Sequence, residues 1–82
     1  MKIVAISSNK DICIGLKLVG VECYNAKNAE ELSEVLAKIP ASDIGMLVVS
    51  DDLSITAPLV RYLDANPQIL FLAVNGNEEY ME

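Results

Sequence analysis

The chain has 82 residues, 52% of them hydrophobic, and a formal net charge of −6 at pH 7. This length suits one small domain, and the scattered basic residues form no stripe that could neutralise the phosphates of a nucleic acid or of an anionic membrane surface. No apolar run reaches the roughly 20 residues of a membrane span. We therefore expect a cytoplasmic protein that binds no nucleic acid and does not insert into a membrane.

Four short apolar runs predict four β-strands, Lys2–Ile6, Val21–Tyr24, Ile44–Val49 and Gln68–Val74. Each intervening segment can hold one helix, and parallel neighbours need a crossover of about a dozen residues or more. The pattern predicts a small three-layer α/β domain of the Rossmann-like or flavodoxin-like type. Its sheet would be parallel, with strand order 2-1-3-4 and three helices. We expect a single domain over residues 1–77 and an acidic C-terminal tail over residues 78–82.

The first helix should begin at Asn9 or Asp11, as its cap, and end where Gly20 takes a left-handed conformation. It is apolar on nearly every side, and Gly15 inside it suggests close packing against something. Because a surface helix buries one stripe only, part of this helix should face a partner or a neighbouring element. We expect the partner surface on this helix and at the ends of the first and third strands, and the candidate contacts are Ile12, Ile14, Leu16 and Leu18. A singly exposed aliphatic side chain remains the alternative, since such residues are common on protein surfaces.

The later elements have clearer sequence signals for where they begin and end. Val21–Tyr24 alternates apolar and polar residues, which favours an edge strand. Asn28 and Glu31 form a variant of the capping box, and Pro40 stops the second helix. The third helix should begin near Asp52 or Thr56 and end at Asn66. Because Pro58 is tolerated only in a first turn, the start near Thr56 is favoured, with Leu53–Ile55 as a turn or loose first turn.

Polar residues follow the first and third strands, whose carboxyl ends would border a crevice. These crevice candidates are Ser7, Ser8, Asn9, Asp51 and Asp52. The two aspartates stand where a phosphoreceiver domain has its acceptor, but the acidic pair after the first strand and the later lysine of such a domain are missing. The turn also lacks the glycines of a dinucleotide site. Helix capping by the aspartates is the simpler explanation.

Catalytic and metal-binding patterns are missing as well. The chain has no histidine, so nothing activates the serines as nucleophiles, and a zinc site would need carboxylates alone. Cys13 and Cys23 lack the spacing of redox or zinc sites, and we expect both to be reduced and buried. We predict no catalytic residue, metal or cofactor. An interaction module and a degenerate receiver-like or small-ligand regulatory domain both remain possible functions.

Two segments, Gly15–Val21 (GLKLVGV) and Asp43–Ser50 (DIGMLVVS), resemble a known family. With the opening strand and the Asn28–Glu31 turn, they are similar to the F subunit of the V-type (archaeal and bacterial A/V-type) ATPase or ATP synthase. The resemblance implies a non-catalytic central-stalk subunit that binds the coiled-coil D subunit of the rotor and turns with it. It would thus support ATP-driven or ATP-forming ion transport, such as proton transport, as a part of a complex peripheral to the membrane. Family members usually continue into a C-terminal helix, which we expect this sequence to lack.

Overall fold

Four parallel strands form one sheet in the order β2-β1-β3-β4. The structure is a computed structural model, and it describes residues 2–74. The strands are β1 (Lys2–Ser7), β2 (Glu22–Asn25), β3 (Ile44–Ser50) and β4 (Leu70–Val74). The predicted parallel sheet, its strand order and the edge position of β2 are confirmed. The predicted acidic tail lies outside the described residues.

The helices are α1 (Lys10–Leu18), α2 (Ala29–Lys38), α3 (Asp51–Ser54) and α4 (Ala57–Ala65), and a 3-10 turn spans Ala41–Asp43. The favoured start of the third predicted helix near Thr56 is confirmed, since Thr56 is the N-cap of α4, but the segment before it forms a separate short helix, α3, where a turn was expected. Pro58 explains the division, since in one continuous helix its ring would clash with the carbonyl of Ser54. Within the first turn of α4 the same proline is tolerated. Between the two helices, the Thr56 hydroxyl donates to the Leu53 carbonyl over 2.7 Å.

The ends of α1 form as the sequence predicts. Asn9 is the N-cap, and its side-chain oxygen accepts hydrogen bonds from the amides of Asp11 (2.9 Å) and Ile12 (3.3 Å). Gly20 has a φ of 91°, in the left-handed region, and its amide donates to the Lys17 carbonyl. This arrangement is a Schellman-type end, for which glycine is favoured because a Cβ would be strained there.

A similar cap begins α2. The Asn28 side chain accepts from the Glu31 amide over 2.9 Å. The Glu31 carboxylate in turn accepts from the Lys27 amide over 2.8 Å. The predicted capping-box variant is therefore present, with Glu31 reaching back to the residue before the cap.

The two faces of the sheet are covered unequally. The connection from β1 to β2 runs in one direction across the sheet, whereas the connections from β2 to β3 and from β3 to β4 run in the opposite direction. Right-handed crossovers therefore place α1 alone on one face. The other face holds the larger core, formed by Val4, Ile6, Ala26, Leu32, Leu36, Ile39, Ile44, Leu47, Val49, Leu53, Leu59 and Ile69. Under α1 the buried cluster is small, formed by Ala5, Cys13 and Cys23. Within residues 2–74, most of the hydrophobic core therefore lies on one side.

None of the described helices has the length and apolar character that crossing a membrane requires.

Candidate functional site

The crevice predicted from the sequence lies at the carboxyl ends of β1 and β3, where the direction of the chain connections reverses. Such a switch point is where parallel α/β sheets usually bind ligands. Ser7 and Ser50, the last residues of these strands, are both buried. The Ser8 amide donates to the Ser50 hydroxyl oxygen over 3.1 Å, and the Asn9 amide donates to the Ser7 hydroxyl oxygen over 3.0 Å. The structure thus brings the predicted serines and Asn9 together.

Asp52, and not Asp51, completes this cluster. Partial burial raises the pKa of Asp52, but hydrogen bonds from the Ser8 and Ser50 hydroxyls and from the amides of Asp52 and Leu53 lower it by more, so the net pKa is below its ordinary value. The carboxylate is therefore held in its ionised form. Asp51 is exposed in the first turn of α3. The N-cap of α3 is Ser50, so the two aspartates favour the positive end of this helix from inside its first turn.

The polar groups of the crevice are largely satisfied by one another. The carbonyl of Ser7 accepts from the Asn25 side chain (2.9 Å) and from the Ala26 amide (3.1 Å), which ties β1 to the end of β2. The first amides of α1 already bind Asn9. Within residues 2–74, no cluster of three potential metal-ligating side chains forms. The contacts of the crevice therefore connect the ends of the strands, which is more typical of a structural role than of a binding site.

The outward surface of α1 is the second candidate site, and the structure divides its four predicted residues into two pairs. Ile12 and Leu16 are half-buried, and Leu16 packs against the buried cysteine cluster. Ile14 is 50% exposed and Leu18 is 82% exposed. Val19, which sequence reasoning did not single out, is 75% exposed. The exposed apolar surface of α1 is thus formed by Ile14, Leu18 and Val19.

The buried thiols under α1 are not a reactive site. Cys13 and Cys23 are both free and buried, as predicted. Burial, followed by a side-chain hydrogen bond with Cys13, raises the pKa of Cys23 to about 12. Because the thiolate is the nucleophilic form, this thiol is unreactive at neutral pH.

The sheet beside α1 carries a further apolar surface that sequence reasoning missed. Ile3 pairs with Met46 and Met46 with Leu70, so these three side chains stand in one row on the same face. Ile3 is 51% exposed and Leu70 is 65% exposed. In the next row, Leu72 is also exposed beside the half-buried Val48. The strand order could have revealed this surface, because order 2-1-3-4 leaves a single crossover helix on that face.

The two edges of the sheet differ in polarity. On the β2 edge, Glu22 accepts hydrogen bonds from the Tyr24 hydroxyl and from Lys2. Both bonds lower the pKa of Glu22, and the bond from Tyr24 lowers it more. The same bond raises the pKa of Tyr24. Charged side chains of this kind protect a sheet edge from unwanted pairing. At the other edge, β4 has the wholly apolar sequence LFLAV and all its residues are exposed. Within residues 2–74, the apolar edge of the sheet thus lies at β4.

A groove of about 320 Å³ lies on the well-covered side, between α2 and α4. Its lining includes Ser33, Pro58, Arg61 and Tyr62. The Tyr62 hydroxyl is buried, and no hydrogen-bond partner for it occurs among the described residues. Burial raises the pKa of Tyr62, so the hydroxyl stays protonated. An unpaired buried hydroxyl lowers the stability of the fold.

Comparison with known proteins gives a family match. A family model described as "ATP synthase (F/14-kDa) subunit" matches residues 3–81, which is nearly the whole chain. No curated protein matches the sequence.

Proposed function

Since the chain belongs to the family of ATP synthase (F/14-kDa) subunits, we propose that it is a non-catalytic central-stalk subunit of a V-type ATPase or ATP synthase. In this role it binds the coiled-coil D subunit of the rotor (the rotor D subunit) and turns with it. It contributes to ATP-driven or ATP-forming ion transport through contacts, without chemistry of its own. The protein is then cytoplasmic and peripheral to the membrane, held there by the complex.

The observation that carries this proposal is the unequal cover of the sheet. The face that bears α2, α3 and α4 covers a continuous core, although Ile55, Val60 and Phe71 on that side remain exposed. On the α1 side, within residues 2–74, large apolar side chains are exposed both on the helix (Ile14, Leu18) and on the sheet (Ile3, Leu70). Contiguous exposed apolar surface is typical of a protein–protein interface. We infer that the α1 side of the domain is the side that meets the rotor D subunit.

A coiled coil is a suitable partner for such a surface. Burial of apolar area stabilises a complex by roughly 25 cal/mol per Å² before the cost of association is subtracted. Behind the exposed residues lie buried side chains of the sheet and of α1, such as Ala5 and Cys13, which give the contact a rigid base. A rigid contact is what the transmission of torque requires, because a compliant one would yield under load.

Size-exclusion chromatography of this protein, mixed with the purified rotor D subunit of the same organism, tests the proposal. We expect one earlier peak that contains both chains in equal amounts. A Leu18→Asp variant should elute separately from its partner, because the interface would have to bury a charge. Separate elution of the unaltered chain and the rotor D subunit at micromolar concentrations would contradict the proposed function.

A further inference from the structure

The outer edge of β4 is open to a further strand. β4 is the last strand in the order β2-β1-β3-β4, its sequence LFLAV is wholly apolar, and all its residues are exposed. Proteins usually cover, bend or charge such an edge, because its free backbone groups would otherwise pair with another chain. Within residues 2–74, no segment of the chain covers this edge.

The register of the sheet shows which backbone groups of β4 are free. The Ser7 carbonyl faces β2, because it accepts from the Ala26 amide over 3.1 Å. In a strand the amide and carbonyl of one residue face the same neighbour, and successive residues alternate between the two neighbours. When this alternation is followed from β1 through β3 to β4, the amides and carbonyls of Phe71 and Ala73 face the outer edge. The other three residues of β4 face β3.

The sequence after β4 has the pattern of a hairpin loop. Val74 is followed by Asn75, Gly76 and then residues 77–82 (NEEYME), and residues 75–82 lie outside the described residues. A three-residue hairpin loop is a type I turn followed by a residue in the left-handed region, where glycine is favoured. Residues 74–76 match this loop, with Gly76 in the third position. At about 3.3 Å per residue, residues 77–82 can extend about 20 Å, which is enough to follow the whole of β4.

We propose that residues 77–82 return along the outer edge of β4 as a fifth, antiparallel strand. With residues 74–76 as the loop, Asn77 lies opposite Ala73 and Glu79 lies opposite Phe71. These two pairs are then the hydrogen-bonded pairs of the antiparallel ladder, because Phe71 and Ala73 have the free amides and carbonyls. The loop length and the direction of the free groups thus agree on one register.

The same register gives Tyr80 an apolar contact. Tyr80 lies opposite Leu70, on the face where Leu70 stands beside Met46. A groove of about 410 Å³ lies next to Leu70 at the amino-terminal ends of β3 and β4. Its lining residues are Ser42, Ile44, Gly45, Gln68 and Leu70. An aromatic side chain across from an aliphatic one stabilises a strand pair, and Glu78 and Glu79 place charges on the new edge, which prevents pairing with other chains.

Amide hydrogen exchange of the full chain, measured for each residue by NMR, tests the fifth strand. The amides of Leu72 and Val74 face β3 and should be protected in any case. We expect the amides of Phe71 and Ala73 to be protected as well. Fast exchange of Phe71 and Ala73, with Leu72 and Val74 protected, would overturn the proposal.

Gly76→Ala tests the loop. Alanine is disfavoured in the left-handed region, so we expect exchange of the Phe71 and Ala73 amides to become about 5- to 30-fold faster, with no change at Leu72. Unchanged exchange in this variant would contradict the proposed register.

Gly15→Ala is the matched control. Gly15 lies in α1 without a positive φ, and a Cβ built on it meets no atom within 4 Å. The close packing expected from the sequence at Gly15 is therefore not found within residues 2–74. Since this glycine is remote from the loop, the substitution should leave the exchange of Phe71 and Ala73 no faster than in the unaltered chain.

A second copy of the chain is the alternative occupant of the β4 edge. It would protect the same two amides only in a dimer, so protection that is lost on dilution, with a dimer in sedimentation velocity, would overturn the proposal. Protection that persists on dilution of a monomer, with a nuclear Overhauser effect between the Tyr80 ring and the Leu70 methyl groups, would establish the fifth strand. Neither outcome depends on binding to the rotor D subunit, so this inference and the proposed function can fail separately.

Discussion

Truncation of Leu18 to alanine should weaken binding to the rotor D subunit and leave the free domain stable. Leu18 is 82% exposed, so nearly the whole side chain remains available for burial by a partner. Complete burial of a leucine side chain contributes about 1.5–3 kcal/mol, and the exposed part of Leu18 can therefore contribute about 1–2.5 kcal/mol. This free energy corresponds to a Kd raised roughly 5- to 70-fold.

Ile55 provides a matched control for this substitution. It is also 82% exposed, but it lies between α3 and α4, which pack on the other face of the sheet. Ile55→Ala removes a similar apolar area, and its Kd for the rotor D subunit should remain unchanged. Titration calorimetry gives both Kd values, and urea denaturation should show changes in the free energy of unfolding within about 0.5 kcal/mol for each variant. Equal Kd values for the two variants would refute the assignment of the α1 side as the interface.

Four further substitutions or modifications test the account of the fold. Leu47→Ala, in the fully buried centre of β3, should lower the free energy of unfolding by about 2–5 kcal/mol in urea denaturation, and a loss below about 1 kcal/mol would contradict its place in the core. Tyr62→Phe should raise the same free energy by about 1 kcal/mol, because it removes a buried hydroxyl that has no partner among the described residues; a destabilised variant would reveal a bond to that hydroxyl. Cys13 and Cys23 should react with a thiol reagent at pH 8 only as fast as the domain opens, because both are buried and the pKa of Cys23 is raised to about 12; rapid labelling of the folded protein would argue against this. The pKa of Asp52 is lower in the folded state than its ordinary value, so its contribution to stability is present above that ordinary value and is lost as the pH falls through the folded pKa. Asp52→Asn should therefore flatten the acid limb of stability against pH, and an unaltered acid limb would show that the carboxylate is not bonded as described.

The elements that the sequence predicted well are those with local signals. The cap at Asn28, the stop at Pro40 and the apolar stripe between them define α2 without reference to the rest of the chain. Likewise, the unbroken apolar run of β3 indicates a central strand before any neighbour is known. These features depend on residues a few positions apart, which sequence reasoning handles directly.

The division of the segment after β3 into two helices could not be predicted from local sequence signals alone. Pro58 was recognised as an obstacle, but the start of α3 directly at Asp51 depends on Leu53, which is buried among side chains from the other strands and helices. That burial anchors a helix of only four residues, Asp51–Ser54, which propensity alone would not stabilise. A tertiary contact therefore determined the local structure.

The candidate sites were predictable in position but not in detail. The polar turns after β1 and β3 placed the crevice correctly, whereas the bonds of Asp52 with Ser8 and Ser50 depend on the path of two loops. On α1, periodicity showed that some apolar residues must face outward, but the packing of the helix on β1 and β2 determines that Ile14 and Leu18 do so. The exposure of Leu70 follows from the strand order, which no local pattern encodes.

Hydrogen–deuterium exchange of this protein, alone and with the rotor D subunit, is the most direct test of the central claim that the α1 side is the stalk interface. We predict slower exchange on binding in α1 (residues 10–18) and in β4 (residues 70–74). Exchange in α2 (residues 29–38), on the opposite face, should be unchanged. Protection confined to α2 and α4, with α1 and β4 unaffected, would contradict the claim.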